Sequence, residues 1–224
     1  MKLSQPTIDI LKNFSAINPN LIFKEGNTIS TIAEAKNIMA SATIEERIPR
    51  EFGIYDLNEF LSTITLVDDP ELDFGKDSIT VRDNATSIEY FYSSPEVLTA
   101  PSKNVSMPKA DVKVTLTADL ISKIKKAAAV LGHATLQISG KKGVVTAQII
   151  DLKNKTANKY SVIIDESNAC EETFSFIIVI GNLKMLPGDY TVSISSKLIS
   201  HFENNSTLKV EYWIALEKDS TFGS

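Results

Sequence analysis

The chain repeats its own plan. When residues 116–130, LTADLISKIKKAAAV, are slid 113 positions onto residues 3–17, LSQPTIDILKNFSAI, Thr117 falls on Ser4, Ile121 on Ile8, Ile124 on Leu11 and Lys125 on Lys12. Ser and Thr are good N-caps, Pro6 suits a first helical turn, and apolar residues recur at helical spacing, so both segments are predicted as amphipathic helices. Strand-like runs follow each: NLIFKEG, TISTIAEA and NIMASATI after the first, and ATLQIS, VVTAQIIDL and KYSVIID after the second. Each half then has a phenylalanine-led strand running into a short helical stretch, FGIYDLNEFLSTITLV at 52–67 and FSFIIVIGNLKMLPG at 174–188. Asp56 and Glu59 form a candidate capping box in the first. Further strands close each half.

Residues 93–111, SSPEVLTAPSKNVSMPKAD, hold three prolines and little periodicity, which suits a linker. The expected organisation is domain 1 over 1–93, a linker over 94–111 and domain 2 over 112–224. The fold class expected is α+β and strand-dominated. In the second half, Pro187 stops the short helix, and Gly188-Asp189 turn the chain into a strand carrying Tyr190, Val192 and Ile194.

No catalytic constellation emerges. The two histidines, His133 and His201, have no cysteine or histidine at metal-ligand spacing. The nucleotide-binding glycine patterns and the serine nucleophile elbow are absent. SGKKG at 139–143 lies between two strand-like runs and reads as a hairpin turn; VDDPELD at 67–73, interrupted by Pro70, reads as a solvated turn. His133 follows a glycine at a helix end. The chain is therefore read as a non-enzyme, with no cofactor and no metal. A single cysteine, Cys170, forms no internal disulfide and fits a reducing cytosol. The opening MKLSQPTIDI lacks the apolar core of a secretory signal, and no apolar run approaches the roughly 20 residues that span a bilayer. No membrane partner is expected. A net charge of −5 argues against simple electrostatic adhesion to nucleic acid, without preventing basic residues from gathering on one surface.

NLKMLPGDYTVSIS at 182–195, followed after a hairpin by VEYWIAL at 210–216, resembles the end of a DNA sliding clamp. MKLSQPTIDILKNFSAI and IYDLNEFLSTITLV resemble the start and middle of the polymerase processivity clamp of T4-like bacteriophages, and the similarity runs over essentially the whole chain. The resemblance implies two tandem clamp domains, each with an antiparallel sheet outside and two helices inside. It further implies a homotrimeric ring of six domains around duplex DNA, held without sequence preference. DNA polymerase, an ATP-driven clamp loader and transcription factors are the implied partners, and the cytoplasm of an infected bacterial host the implied location.

The predicted helical stretches carry Lys12, Lys123, Lys125, Lys126 and Lys184 against Asp9, Asp56, Glu59 and Asp119, whereas the whole chain has 23 basic and 28 acidic residues. Those five lysines are the candidate DNA-facing residues, against the plainer reading of a solvated helix face. Candidate subunit-interface residues are Tyr90, Phe91 and Tyr92, at the end of domain 1, and Tyr160, Val162 and Ile164 in domain 2. The plainer reading makes each run an ordinary strand of its own sheet. A candidate pocket for a partner peptide, such as a polymerase tail, combines Trp213, Ala215 and Leu216 on the last long strand with linker residues Val105, Met107 and Pro108. A non-enzymatic β-rich phage structural protein, such as a tail or baseplate component, and an enzyme subunit with an unrecognisable site are the rival readings.

Overall fold

A computed structural model describes residues 1–101 and 105–223; residues 102–104 of the expected linker lie outside the described residues. The chain divides into two compact units, Met1–Asn104 with Leu208–Val210, and Val105–Thr207 with Glu211–Ser224.

The first unit begins with helix α1 (Gln5–Ile17). Ser4 caps it, its hydroxyl accepting from the Thr7 N–H at 3.4 Å. The Glu46 carboxylate accepts from the Ser4 N–H and, at 2.5 Å, from the Thr7 hydroxyl. Burial pushes the pKa of Glu46 up, but these hydrogen bonds outweigh it and leave the group below its ordinary value. Ile10, Leu11, Phe14 and Ile17 are buried, which accounts for the apolar spacing. Strands β1 (Leu21–Phe23), β2 (Gly26–Ile32), β3 (Ile38–Ile48) and β4 (Phe52–Ile54) follow, with β2 pairing β3 and β1 pairing β4, both antiparallel. Glu46 lies on β3, so the helix start is fastened to the sheet.

Helix α2 (Leu57–Thr65) buries Leu57, Phe60, Leu61 and Ile64. The Asp56 carboxylate caps it, accepting from Asn58 N–H at 2.9 Å and Glu59 N–H at 3.2 Å. The reciprocal half of the expected capping box does not form. Glu59 accepts instead from the Tyr90 hydroxyl at 3.2 Å, because Tyr90 lies beside the helix with its ring 5.3 Å from that of Phe60. Strands β5 (Glu71–Phe74), β6 (Ser78–Arg82) and β7 (Ser87–Phe91) make a three-stranded sheet in that order, so β7 is an edge. Phe23, Phe52 and Tyr92 stack in sequence at 4.6 and 4.9 Å. The two buried rings, Phe23 and Phe52, contribute about 1.5–3 kcal/mol each.

In the second unit β8 (Val112–Leu116) leads into helix α3 (Ala118–Leu131), capped by the Thr117 hydroxyl, which accepts from Leu120 N–H at 3.3 Å. Gly132 ends the helix at φ 68°, where a side chain is disfavoured. The His133 ring contacts the Asn158 carbonyl at 2.8 Å. Strands β9 (Thr135–Lys141), β10 (Val144–Ile150), β11 (Tyr160–Asp165), β12 (Phe174–Val179), β13 (Tyr190–Ser195), β14 (Ile199–Asn204), β15 (Lys209–Ala215) and β16 (Thr221–Phe222) complete the chain. SGKKG is a two-residue hairpin between β9 and β10: Lys141 faces Val144, and Lys142 and Gly143 have φ of 51° and 76°, the pattern of a type I′ turn. One sheet has the order β11-β10-β9-β12-β16, which places β11 at an edge. In another ladder β13 joins β8 to β14, which pairs β15.

The second short helix expected in this half is reduced to a single 3₁₀ turn, Ile180–Asn182, so the described residues contain three α-helices. Gly181 costs about 1 kcal/mol in a helix, and Pro187 leaves too few residues after it to offset nucleation. Two buried tyrosines hold the chain in place of helical hydrogen bonds. The Tyr190 hydroxyl donates to the Leu186 carbonyl at 2.7 Å, and the Leu186 N–H donates to the Tyr212 hydroxyl at 3.1 Å. The expected corner in NLKMLPGDY is thus pinned on both sides of one residue.

Candidate functional surfaces

The five helix-associated lysines stand in different surroundings. On α1 the exposed stripe is Gln5, Asp9, Lys12 and Ala16. Asp9 accepts from the Gln5 amide at 2.8 Å, and Lys12 has no carboxylate within ion-pair range among the described residues. On α3, Lys123 is paired with Asp119 one turn earlier at 2.6 Å, a contact that raises its pKa. Lys126 is exposed and carries no such partner among the described residues. Lys125 is half-buried, and burial lowers its pKa. Lys184 is exposed on the irregular segment after the 3₁₀ turn. On α2 the outward residues are Asn58, Glu59, Ser62 and Thr65, and the two hydroxyls are turned back onto the helix: Ser62 donates to the Asn58 carbonyl at 2.8 Å and Thr65 to the Ser62 carbonyl at 2.7 Å.

Each unit also ends a sheet in an apolar edge. Along β7, Ile88, Tyr90 and Tyr92 are half-buried while Phe91 points away at 65% exposure. Burial, reinforced by the Glu59 carboxylate, pushes the Tyr90 pKa up to about 12, so its hydroxyl remains a donor at neutral pH. Along β11, Tyr160, Val162 and Ile164 are half-buried and Ile163 is 54% exposed. An unpaired strand with such a residue on its open side is normally covered.

On β15, Tyr212 and Ile214 are fully buried, and Leu216, just beyond it, is 5% exposed and belongs to the same core set. Trp213 points the opposite way yet is also buried, because His201, directly across on β14, stacks on its ring at 4.8 Å. The His201 ring in turn meets the Glu211 carboxylate at 2.8 Å. The Trp213 indole N–H is buried without an acceptor among the described residues. Ala215, Val105, Met107 and Pro108 are half-buried. His201 and Glu211 were not among the candidates from sequence; only the cross-strand register puts them beside the tryptophan. Among the described residues no cluster of three or more metal-ligating side chains occurs, and no helix is long and apolar enough to cross a membrane.

Two family models together match most of the chain: the DNA polymerase processivity factor over residues 2–100, and the gp45 sliding clamp, C terminal, over residues 111–218. The sliding clamp of Enterobacteria phage T4 is 33% identical, with 99% of each chain covered. The sliding clamp of Vibrio phage KVP40 is 32% identical over 97% of this chain and 99% of its own. Among solved structures, the Proliferating Cellular Nuclear Antigen of Entamoeba histolytica superposes with a TM-score of 0.67 at 15% identity, covering 94% of both chains. The A. fulgidus PCNA, solved with the C-terminal region of FEN-1 bound, superposes with a TM-score of 0.70 at 12% identity, covering 98% of both.

Proposed function

The chain belongs to the DNA polymerase processivity factors, the sliding clamps of T4-related phages, and from that premise we propose how its own residues carry out a clamp's work. It is not an enzyme: it encircles duplex DNA and tethers the replicative polymerase, turning each dissociation into an intramolecular rebinding at high effective concentration. Three copies join head to tail, β7 of one pairing with β11 of the next, since a heterologous contact of fixed rotation closes a ring. The observation that carries this reading is the match of both halves of the chain to clamp models, supported by one open apolar edge in each unit. In this reading the clamp domains are 1–93 and 112–224, joined by a linker over 94–111. The rival reading as a tail or baseplate component finds no support in these matches.

Lys12 and Lys126 are the principal phosphate contacts in this scheme, because both are exposed without a carboxylate partner. Lys123, shared with Asp119, and Lys184 contribute less, and the half-buried Lys125 least. Long, flexible, sequence-blind contacts suit sliding better than bidentate arginine forks. Polymerase docks through a short apolar peptide on Trp213, Ala215 and Leu216 with Val105, Met107 and Pro108, and offers a backbone carbonyl to the unpaired indole N–H. A clamp loader using ATP opens the ring, and transcription factors share the same peptide pocket. The setting is the cytoplasm of the infected host.

Retention on DNA tests the central reading. Loaded onto nicked circular plasmid, the protein stays bound through gel filtration at high salt and is lost once the plasmid is linearised. Equal loss from circular and linear DNA overturns it. Trp213 fluorescence, titrated with the polymerase tail, tests the pocket separately: an unchanged spectrum, with stimulation intact in Ala215→Arg, places the pocket elsewhere.

A further inference from the structure

A small recess lies between one flank of α3 and the pinned corner of the second unit. It has a volume of about 220 Å³ and is lined by Ile121, Ser122 and Lys125 on the helix and by Met185, Leu186 and Pro187 opposite. Ile121 and Met185 are 8% and 7% exposed, so the floor is apolar and already packed. The cation at the rim differs from its neighbours. Lys123 has Asp119, whereas Lys125 has no carboxylate in range among the described residues, and its stem is half-buried. At the other end Asp189, next to the lining residue Gly188, is occupied, accepting from the Ala118 N–H at 2.7 Å. Ala118 and Lys125 are seven residues apart on the helix, which sets the two ends roughly 10 Å from each other.

We propose that this recess is a docking site for a short acidic-apolar peptide, one apolar side chain entering over Ile121 and Met185 and the adjoining carboxylate pairing with Lys125. The charge sets the direction of the peptide: acid toward Lys125, away from Asp189. A half-desolvated ammonium without a counter-ion gains more from a carboxylate than one already paired. The apolar floor offers nothing to a phosphodiester, which favours peptide over DNA at this spot. The thioether of Met185 adapts to more than one apolar side chain. Sulfur, hydroxyl and ammonium thus meet in one small recess on the helix whose exposed face we assign to DNA. A partner seated here would compete with DNA for Lys125, but not for Lys12 or Lys126.

Methionine-methyl NMR of the assembled protein tests this. The chain has four methionines, Met1, Met39, Met107 and Met185, so Met185 reports the recess and Met107 the linker pocket in one spectrum. Acetyl-Ala-Leu-Asp-Ala amide is titrated alongside its Leu-Asn counterpart. The expected result is a saturable shift of the Met185 methyl, with Met107 unmoved and the Asp peptide binding roughly three- to five-fold tighter than the Asn peptide. Lys125→Gln should level the two peptides and Lys125→Arg should keep the difference. The proposal is overturned if Met185 does not move at millimolar peptide, if the two peptides bind equally to the unsubstituted protein, if only Met107 responds, or if a short DNA duplex shifts Met185 while neither peptide does. Plasmid retention is measured on the same samples, so loss of the recess and loss of the clamp reading give different results.

Discussion

Removing one oxygen from the pinned corner tests whether two tyrosine hydroxyls have replaced the missing helix. In Tyr190→Phe the ring stays in its site, 6.1 Å from the ring of Tyr212, and no cavity opens. The donor to the Leu186 carbonyl disappears, and with it the hydroxyl that the Tyr212 and Asn204 side chains meet. Tyr190 is fully buried, and losing the hydrogen bonds of a buried hydroxyl costs about 1–3 kcal/mol. Tyr212→Phe removes the acceptor of the Leu186 N–H and should cost a similar amount. Both hydroxyls hold the same residue, so the second loss should hurt less than the first. A coupling of about 1 kcal/mol is expected across the double-mutant cycle. Urea denaturation at fixed protein concentration reads it: the midpoint moves down with the slope unchanged. The reasoning is refuted if both single variants lie within about 0.3 kcal/mol of the parent, or if the two losses simply add.

Three other outcomes are expected. Neutralising Lys12 and Lys126 together should leave the ring intact while lowering the salt dependence of DNA binding by roughly two phosphate contacts per subunit, read from the slope of log K against log salt; an unchanged slope counts against them. Ile163→Asp places a charge on the open side of β11 and should weaken each seam by about 2 kcal/mol or more, seen by light scattering as subunits where the parent forms trimers. Glu46 has a pKa below its ordinary 4.5 in the folded chain, so its contribution is complete above that value and fades as pH falls through the folded pKa. Glu46→Gln should flatten the acid limb of the stability profile below about pH 4.5 and cost little acid sensitivity elsewhere.

Much of the architecture was legible because it depends on local chemistry. Ser4, Asp56 and Thr117 each cap the helix that follows, and the spacing of Ile10, Leu11 and Phe14 places α1 on its sheet. The short helix after β12 was not legible: its apolar residues suit a helix, but Tyr190 and Tyr212, brought in from two later strands, satisfy the Leu186 backbone instead. A helical wheel put Lys125 on the solvent face with Lys126. Residues 185–187 pack on that flank and half-bury it, a contact that no helical periodicity contains. Alternation along β15 correctly sent Trp213 away from Tyr212, yet implied an exposed ring. His201 covers it, and only the register of β14 against β15 reveals that.

The two open edges have a kinetic consequence. The contact proposed between β7 and β11 is head to tail, so two chains joined by one such seam still leave a free edge at each end. Every partial assembly keeps one unmatched β7 and one unmatched β11, with Phe91 and Ile163 bare. Only the third subunit removes both at once, so intermediates should be scarce and closure abrupt. The three finished seams are then chemically identical. None is marked in advance as the gate, and whichever seam parts first is decided by the loader or by chance.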